Sequence, residues 1–155
     1  MAVEAAEATL RATLADVREI LKVTGIAPRR ITLFTAPAWK RRVYGLAVWL
    51  AREGGVTMGA LMERATADAS LRERAKDVAA FAQQAVNDMT RRKGEELARA
   101  ATLVDEKAYL DTAVAFLSRE IGCPVAVHDA DETGVWDPRA KARHAVPGRP
   151  AIFVE

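Results

Sequence analysis

Four bases, Arg139, Lys141, Arg143 and Arg149, fall between Gly134 and Pro150 against a single acid, Asp137. A lysine offers a phosphate a mobile point charge, whereas an arginine can fork onto two oxygens, reach a base edge or stack on a splayed base. Such spacing suits a poly-anionic partner. Trp136 stands at the head of the same loop, where an aromatic ring beside bases can stack on an unpaired nucleotide. Two other groups, Lys40-Arg41-Arg42 and Arg91-Arg92-Lys93, are each the kind of charge run that usually forms a solvated helix face, yet together with the loop they point toward RNA or DNA. The segment before the loop has the opposite sign. Val104 to Glu132 holds seven acids and two bases, so the formal net charge of +2 conceals a polarised surface.

Other chemistries find less support. There is no G-x-G-x-x-G and no G-x-x-x-x-G-K-[ST], so no recognised phosphate cradle for a nucleotide is present. His128, Asp129, Asp131 and Glu132 carry the donor atoms that zinc or manganese take, but their spacing fits no ligand loop, and a strand running into a solvated acidic turn accounts for them. No metal site is expected. Cys123 lacks an identifiable base with a third orienting group and reads as a small buried residue at a helix-strand junction. Trp39 lies on an apolar seam and reads as core rather than as a stacking platform.

The elements that must hold these residues follow from periodicity. With 155 residues, half of them apolar, the chain suits one domain, a lead-in helix over 1–25 followed by a body over 26–155. Leu10, Leu14, Val17 and Leu21 predict a first helix from Glu4 to Val23, closed by Gly25. Arg30 to Thr35 alternates polar and apolar residues as a half-buried strand does. Pro37 opens a helix with a seam of Trp39, Val43, Leu46 and Leu50, which would leave Lys40, Arg41 and Arg42 on the opposite face. Thr57 caps a short helix to Ala65, and Ser70-Leu-Arg-Glu73 has the pattern of a capping box opening a helix with a Val78, Phe81, Ala85 and Met89 stripe. A helical piece from Glu95 to Thr102 and one long helix capped by Asp105 and ended by Gly122 come next. Pro124–His128 and Ala151–Val154 are the remaining strands. The expected fold is α+β, predominantly helical, with a small three-stranded sheet covered by several helices. A single cysteine suits a reducing compartment, no apolar run reaches the roughly 20 residues of a bilayer span, and a cytoplasmic location is expected.

Two stretches resemble a known family. Ile31-Thr-Leu-Phe-Thr-Ala-Pro-Ala-Trp-Lys40 with Val43-Tyr44, and the ending from Asp137-Pro-Arg-Ala-Lys through Pro147-Gly-Arg-Pro-Ala-Ile-Phe-Val-Glu155, are similar to the C-terminal region of archaeal and eukaryotic-type leucyl-tRNA synthetases. Val17 to Gly25 also looks like the helix leading into that region. The resemblance runs from about Leu10 to the end, most specifically at its two ends. It implies a non-catalytic tRNA-binding domain that helps hold tRNA-Leu, notably its long variable arm, beside the remainder of the synthetase, with no DNA and no membrane partner. On that reading Arg139, Lys141, Arg143 and Arg149 make the RNA contacts, assisted by Lys40, Arg41 and Trp136, while Ala145, Pro147 and Pro150 act as scaffold. The His-x-Gly-His and Lys-Met-Ser-Lys-Ser motifs of class I synthetases are absent from these residues, so ATP and Mg are expected only in a catalytic domain outside this segment. Two rivals remain. One is a protein docking module using the basic loop or the acidic segment, and the other is a small hydrolytic or metal-dependent enzyme using His128 and the neighbouring acids.

Overall fold

The computed structural model describes residues 2–91 and 105–155, which group into two compact units. One unit contains α1 (Ala2–Thr24), β1 (Ile31–Thr35) and everything described after residue 104; the other contains the helices between Ala38 and Arg91. The expected basic corner at Arg92-Lys93 and the helical piece Glu95 to Thr102 lie outside the described residues.

In the first unit, α1 buries Val17 fully, with Leu10, Leu14 and Leu21 packed beside it as the i, i+4, i+7, i+11 stripe predicts. Thr9 and Thr13 are also buried, and the Thr13 hydroxyl donates to the Thr9 carbonyl at 2.7 Å, which removes the cost of an unmet hydroxyl. Gly25, at φ +67°, accepts the left-handed conformation that closes the helix, and its N–H donates to the Leu21 carbonyl.

The sheet has the order β2-β1-β3, where β2 is Val125–Asp129 and β3 is Ala151–Val154. β1 runs parallel to β2, with Ile31 opposite Val125, and antiparallel to β3, with Ile31 opposite Val154. Because side chains alternate across a strand, this register sorts them into two faces. Ile31, Leu33, Val125 and Val127 meet α1 and two helices, α6 (Glu106–Thr112) and α7 (Val114–Ile121), whose Leu110 and Leu117 are fully buried. Phe34, Ala151 and Phe153 meet Ala130, Val135, Ala142 and Ala145 from the chain between β2 and β3. The expectation of a half-buried β1 is therefore corrected: all five of its residues are buried. A central strand covered on both faces has no solvated side, and Thr32, on the face of Phe34, and Thr35, on the face of Ile31 and Leu33, are both buried.

The single long helix expected after Asp105 is two helices. Asp105 does cap, its Oδ1 accepting from the Ala108 N–H at 3.0 Å, but the chain turns at Ala113 (φ −97°, ψ 0°), whose N–H reaches the Asp111 and Leu110 carbonyls. Gly122, at φ +88°, closes α7 as foreseen.

The second unit comprises α2 (Ala38–Arg52), α3 (Met58–Ala67), α4 (Ala69–Arg72) and α5 (Ala75–Arg91). Thr57 caps α3 by accepting from the Ala60 N–H. Ser70 does not open the long helix; Asp68 caps α4 by accepting from both the N–H and the hydroxyl of Ser70, and α5 starts separately at Ala75. A carboxylate two residues earlier outcompetes the serine as acceptor. On α5 the predicted stripe of Val78, Phe81, Ala85 and Met89 is buried, and Tyr44 of α2 donates its hydroxyl to Asp88 at 3.1 Å.

Cys123 is 7% exposed within the first unit's core, and burial pushes its thiol above the ordinary range. Iodoacetamide should therefore label Cys123 slowly in the native chain and rapidly in denaturant. Fast native labelling, followed by mass spectrometry, would show that this side of the sheet is open.

Candidate nucleic-acid interface

The basic loop begins with a capped turn. Asp137 precedes Pro138, whose fixed φ suits the second position of the turn that the Ala140 N–H closes on the Asp137 carbonyl at 3.2 Å. Both oxygens of the Asp137 carboxylate are used: Oδ1 accepts from the Lys141 N–H at 2.8 Å and Oδ2 from the Ala142 N–H at 3.0 Å. They open a single 3-10 turn, Lys141–His144, entered through Ala140 in a left-handed conformation at φ +51°. A non-glycine residue there carries a conformational cost of about 1 kcal/mol, which the two hydrogen bonds from one charged acceptor offset.

The turn is fastened to the sheet from below. Ala142 and Ala145 pack on Phe34, Ala151 and Phe153. Ala145, Pro147 and Pro150, the residues expected to act as scaffold, are buried. Val146 and Arg149 exchange backbone hydrogen bonds across Pro147-Gly148, with Gly148 at φ +78°, the geometry of a type II turn that needs glycine at its third position. The Gly148 N–H donates to Oε2 of Glu106 at 3.3 Å, and Glu106, only 1% exposed, stands at the start of α6. Arg149 forks onto Asp16 of α1, with Nε to Oδ2 at 3.2 Å and Nη2 to Oδ1 at 3.4 Å.

What remains outside is basic. Arg139 and Arg143 are exposed and Lys141 is half-buried, while Arg149 stays 60% exposed despite its pairing with Asp16. Arg143 also donates from Nε to Nε2 of His144 at 3.3 Å. Packing and capping thus set four cations on one short, fastened stretch.

Beside this stretch Trp136 is 62% exposed and lines a depression of about 220 Å³. Gly134 and Val135 line it from the loop, and Arg30, Thr32, Ala126 and His128 from the strands. Arg30 is held by Glu155 through Nη2 to Oε1 at 2.6 Å. The Nδ1 of His128 lies 2.7 Å from Oε2 of Glu132, and this bond holds the Glu132 carboxyl below the ordinary range. Sequence reasoning treated His128 only as a metal or catalytic candidate and passed over Arg30 and Glu106. The signal that could have found Asp137 as a frame was its place before proline, a turn-opening pattern.

Lys40 and Arg41 belong to the other unit. The expectation that Lys40 lies on the solvated face of α2 is corrected: it is 7% exposed, and its ammonium sits 5.6 Å from the Trp39 ring centre and 5.3 Å from that of Phe81. Its aliphatic stem buries well and its charge is met by aromatic faces, so the burial is stable. The buried seam is consequently Lys40, Val43, Tyr44, Ala47 and Val48, with Trp39 half-buried and edge-on to Phe81. Arg41 is half-buried.

Among the described residues no group of three or more His, Cys, Asp and Glu side chains could hold a metal ion. The acids of the Val104 to Glu132 segment are largely engaged: Asp105 caps α6, Glu106 is buried, and Asp111, Glu120 and Glu132 pair with Lys107, Arg18 and His128. None of the described helices is long and apolar enough to cross a membrane.

No protein-family model matches the chain. Related proteins nevertheless match it along nearly its whole length, several leucine–tRNA ligases among them. Over 152 residues, 98% of the chain, it is 38% identical to the leucine–tRNA ligase of Methanothrix thermoacetophila. It is 37% identical over 153 residues to that of Methanosarcina acetivorans and 32% over 153 to that of Methanothermobacter thermautotrophicus. The chain spans 15–16% of the length of these relatives and corresponds to a segment of archaeal leucine–tRNA ligases.

The Glu106 to Gly148 contact generates a stability prediction. Glu106→Ala leaves the Gly148 N–H without its carboxylate acceptor and should cost about 1–3 kcal/mol; Glu106→Gln, which keeps an acceptor oxygen, should cost distinctly less. Urea denaturation of the two variants measures the difference, and equal losses would mean that the hydrogen bond does not fasten the turn.

Proposed function

We propose that this chain is a tRNA-binding part of a leucine–tRNA ligase, a C-terminal module that grips tRNA-Leu, chiefly along its long variable arm, and works beside the rest of the synthetase. Recognition rather than chemistry is its task. Leucine activation with ATP and Mg would fall to other parts of the enzyme. The observation that carries this reading is the fastened basic stretch from Asp137 to Arg149, in which a capped turn and a type II turn present Arg139, Lys141 and Arg143 from a sheet related to leucine–tRNA ligases.

The physical reasons are two. Cations on a pre-formed loop lose little conformational freedom when they meet phosphates, so more of the electrostatic attraction appears as affinity. A duplex arm displays a regular row of phosphates, which suits recognition by shape more than by base edges. Arg149 contributes differently from its neighbours, since its guanidinium is already shared with Asp16 and a phosphate would have to compete for it.

Binding of the 155-residue chain to tRNA-Leu and to a tRNA with a short variable arm, measured by gel shift, tests the proposal. Tighter binding to tRNA-Leu is expected, and equal binding would leave only nonspecific electrostatics. Arg143→Ala should weaken tRNA-Leu binding and reduce the slope of log affinity against log salt by about one unit. An unchanged slope for Arg139→Ala, Lys141→Ala and Arg143→Ala would remove the loop from the interface.

A further inference from the structure

The depression beside Trp136 is too small for a whole drug-sized ligand, whose pockets run to roughly 300–1,000 Å³, and is on the scale of one planar ring system. Its chemistry is mixed in a way that fits a nucleobase. Trp136 offers a ring face that the fold does not consume, since the side chain is 62% exposed. Opposite the loop, Arg30 brings a cation whose position is set by its ion pair with Glu155. An exposed indole rimmed by a guanidinium and an imidazole suits stacking of a base with its phosphate held alongside, and suits an apolar protein side chain poorly.

His128 adds direction. A carboxylate accepts hydrogen bonds and cannot donate them, so the 2.7 Å contact between Glu132 Oε2 and His128 Nδ1 places the ring proton on Nδ1. In the neutral ring the other nitrogen, Nε2, is then an acceptor. An acceptor in the lining pairs with an amine on the base edge and repels a keto oxygen.

We propose that this depression holds one unpaired nucleobase of a bound RNA, stacked on Trp136 and selected by His128 for an exocyclic amine, adenine or cytosine, over a keto oxygen at that position. The inference rests on the reading that the chain binds RNA, but concerns a base rather than the phosphate contacts of the basic loop. Glu132 is a positioning residue here, acting through the tautomer of His128.

The probe is a pair of oligomers whose bases differ at C4, an amine against a keto oxygen, with the matching change at N3 from an acceptor to an N–H. The chain is titrated at pH 8 with hexacytidylate and hexauridylate at low salt. The indole N–H signal of Trp136 is followed by NMR, assigned through the Trp136→Phe variant. Hexacytidylate should bind several-fold more tightly and shift the Trp136 signal; Trp136→Ala should lower its affinity roughly tenfold, in line with the loss of one base–aromatic stack, while Trp136→Phe retains most of it. Glu132→Gln, whose amide can stabilise either tautomer, should narrow the gap between the two oligomers without changing total affinity for tRNA-Leu as much. If hexacytidylate binds but the Trp136 signal stays still and Trp136→Ala is silent, the base pocket is wrong and RNA binding stands. Equal affinity for the two oligomers with a shifted Trp136 overturns the role of His128. Binding of tRNA-Leu with neither oligomer bound refutes the pocket alone, and no binding to any RNA refutes both it and the proposed function.

Discussion

The first unit depends on one constraint: its central strand is buried on both sides, so the sheet needs two covers. α1, α6 and α7 supply the first. The second has to come from the chain between β2 and β3, which carries few large apolar residues and meets Phe34 and Phe153 mainly with alanines and Val135. Small side chains bring backbone close to the sheet, and backbone packed that closely must satisfy its own N–H and carbonyl groups locally. The Asp137 cap, the 3-10 turn and the Pro147-Gly148 turn are how it does so.

That solution has a functional by-product. Once the alanines face inward, the long side chains interleaved with them can only face outward, and these are the arginines and the lysine. The same segment that completes the hydrophobic cover is therefore the one that displays positive charge. Two outside contacts, Glu106 to Gly148 and Arg149 to Asp16, tie its far end to helices that belong to the opposite cover. Surface ion pairs contribute little to stability alone, but the buried carboxylate of Glu106 is a different case, because the polar group it serves is removed from water.

Much of this was legible in the residues. The α1 stripe, the strand at Ala151–Val154, the Thr57 and Asp105 caps, and Gly122 follow local rules in which spacing and turn chemistry decide the outcome. What was not legible depended on partners distant in sequence. β1 reads as half-buried because Thr32 alternates with Ile31 and Leu33, and only the arrival of the loop on its second face, over Phe34, completes the burial. Lys40 reads as solvated because nothing local says that Phe81 will lie under its ammonium. The Ser70 box failed for a local reason, a better acceptor at Asp68. In the candidate site, the charges were visible and the frame was not: the Glu106 carboxylate and the Gly148 N–H are 42 residues apart, and Arg30 and Trp136 meet only through the sheet.

If the shape of the loop is what holds RNA, Asp137→Ala is the decisive variant, because charge and geometry then predict opposite signs. Removing the loop's single acid raises its net positive charge and by electrostatics alone should tighten binding. It also removes both hydrogen bonds that close the turn, at a cost of about 1–2 kcal/mol. The affinity of this variant for tRNA-Leu, measured across a salt series in a sample whose melting and circular dichroism show the sheet and helices intact, settles which dominates. Weaker binding with a shallower salt slope is the predicted result; unchanged or tighter binding would contradict a pre-formed basic loop as the basis of recognition.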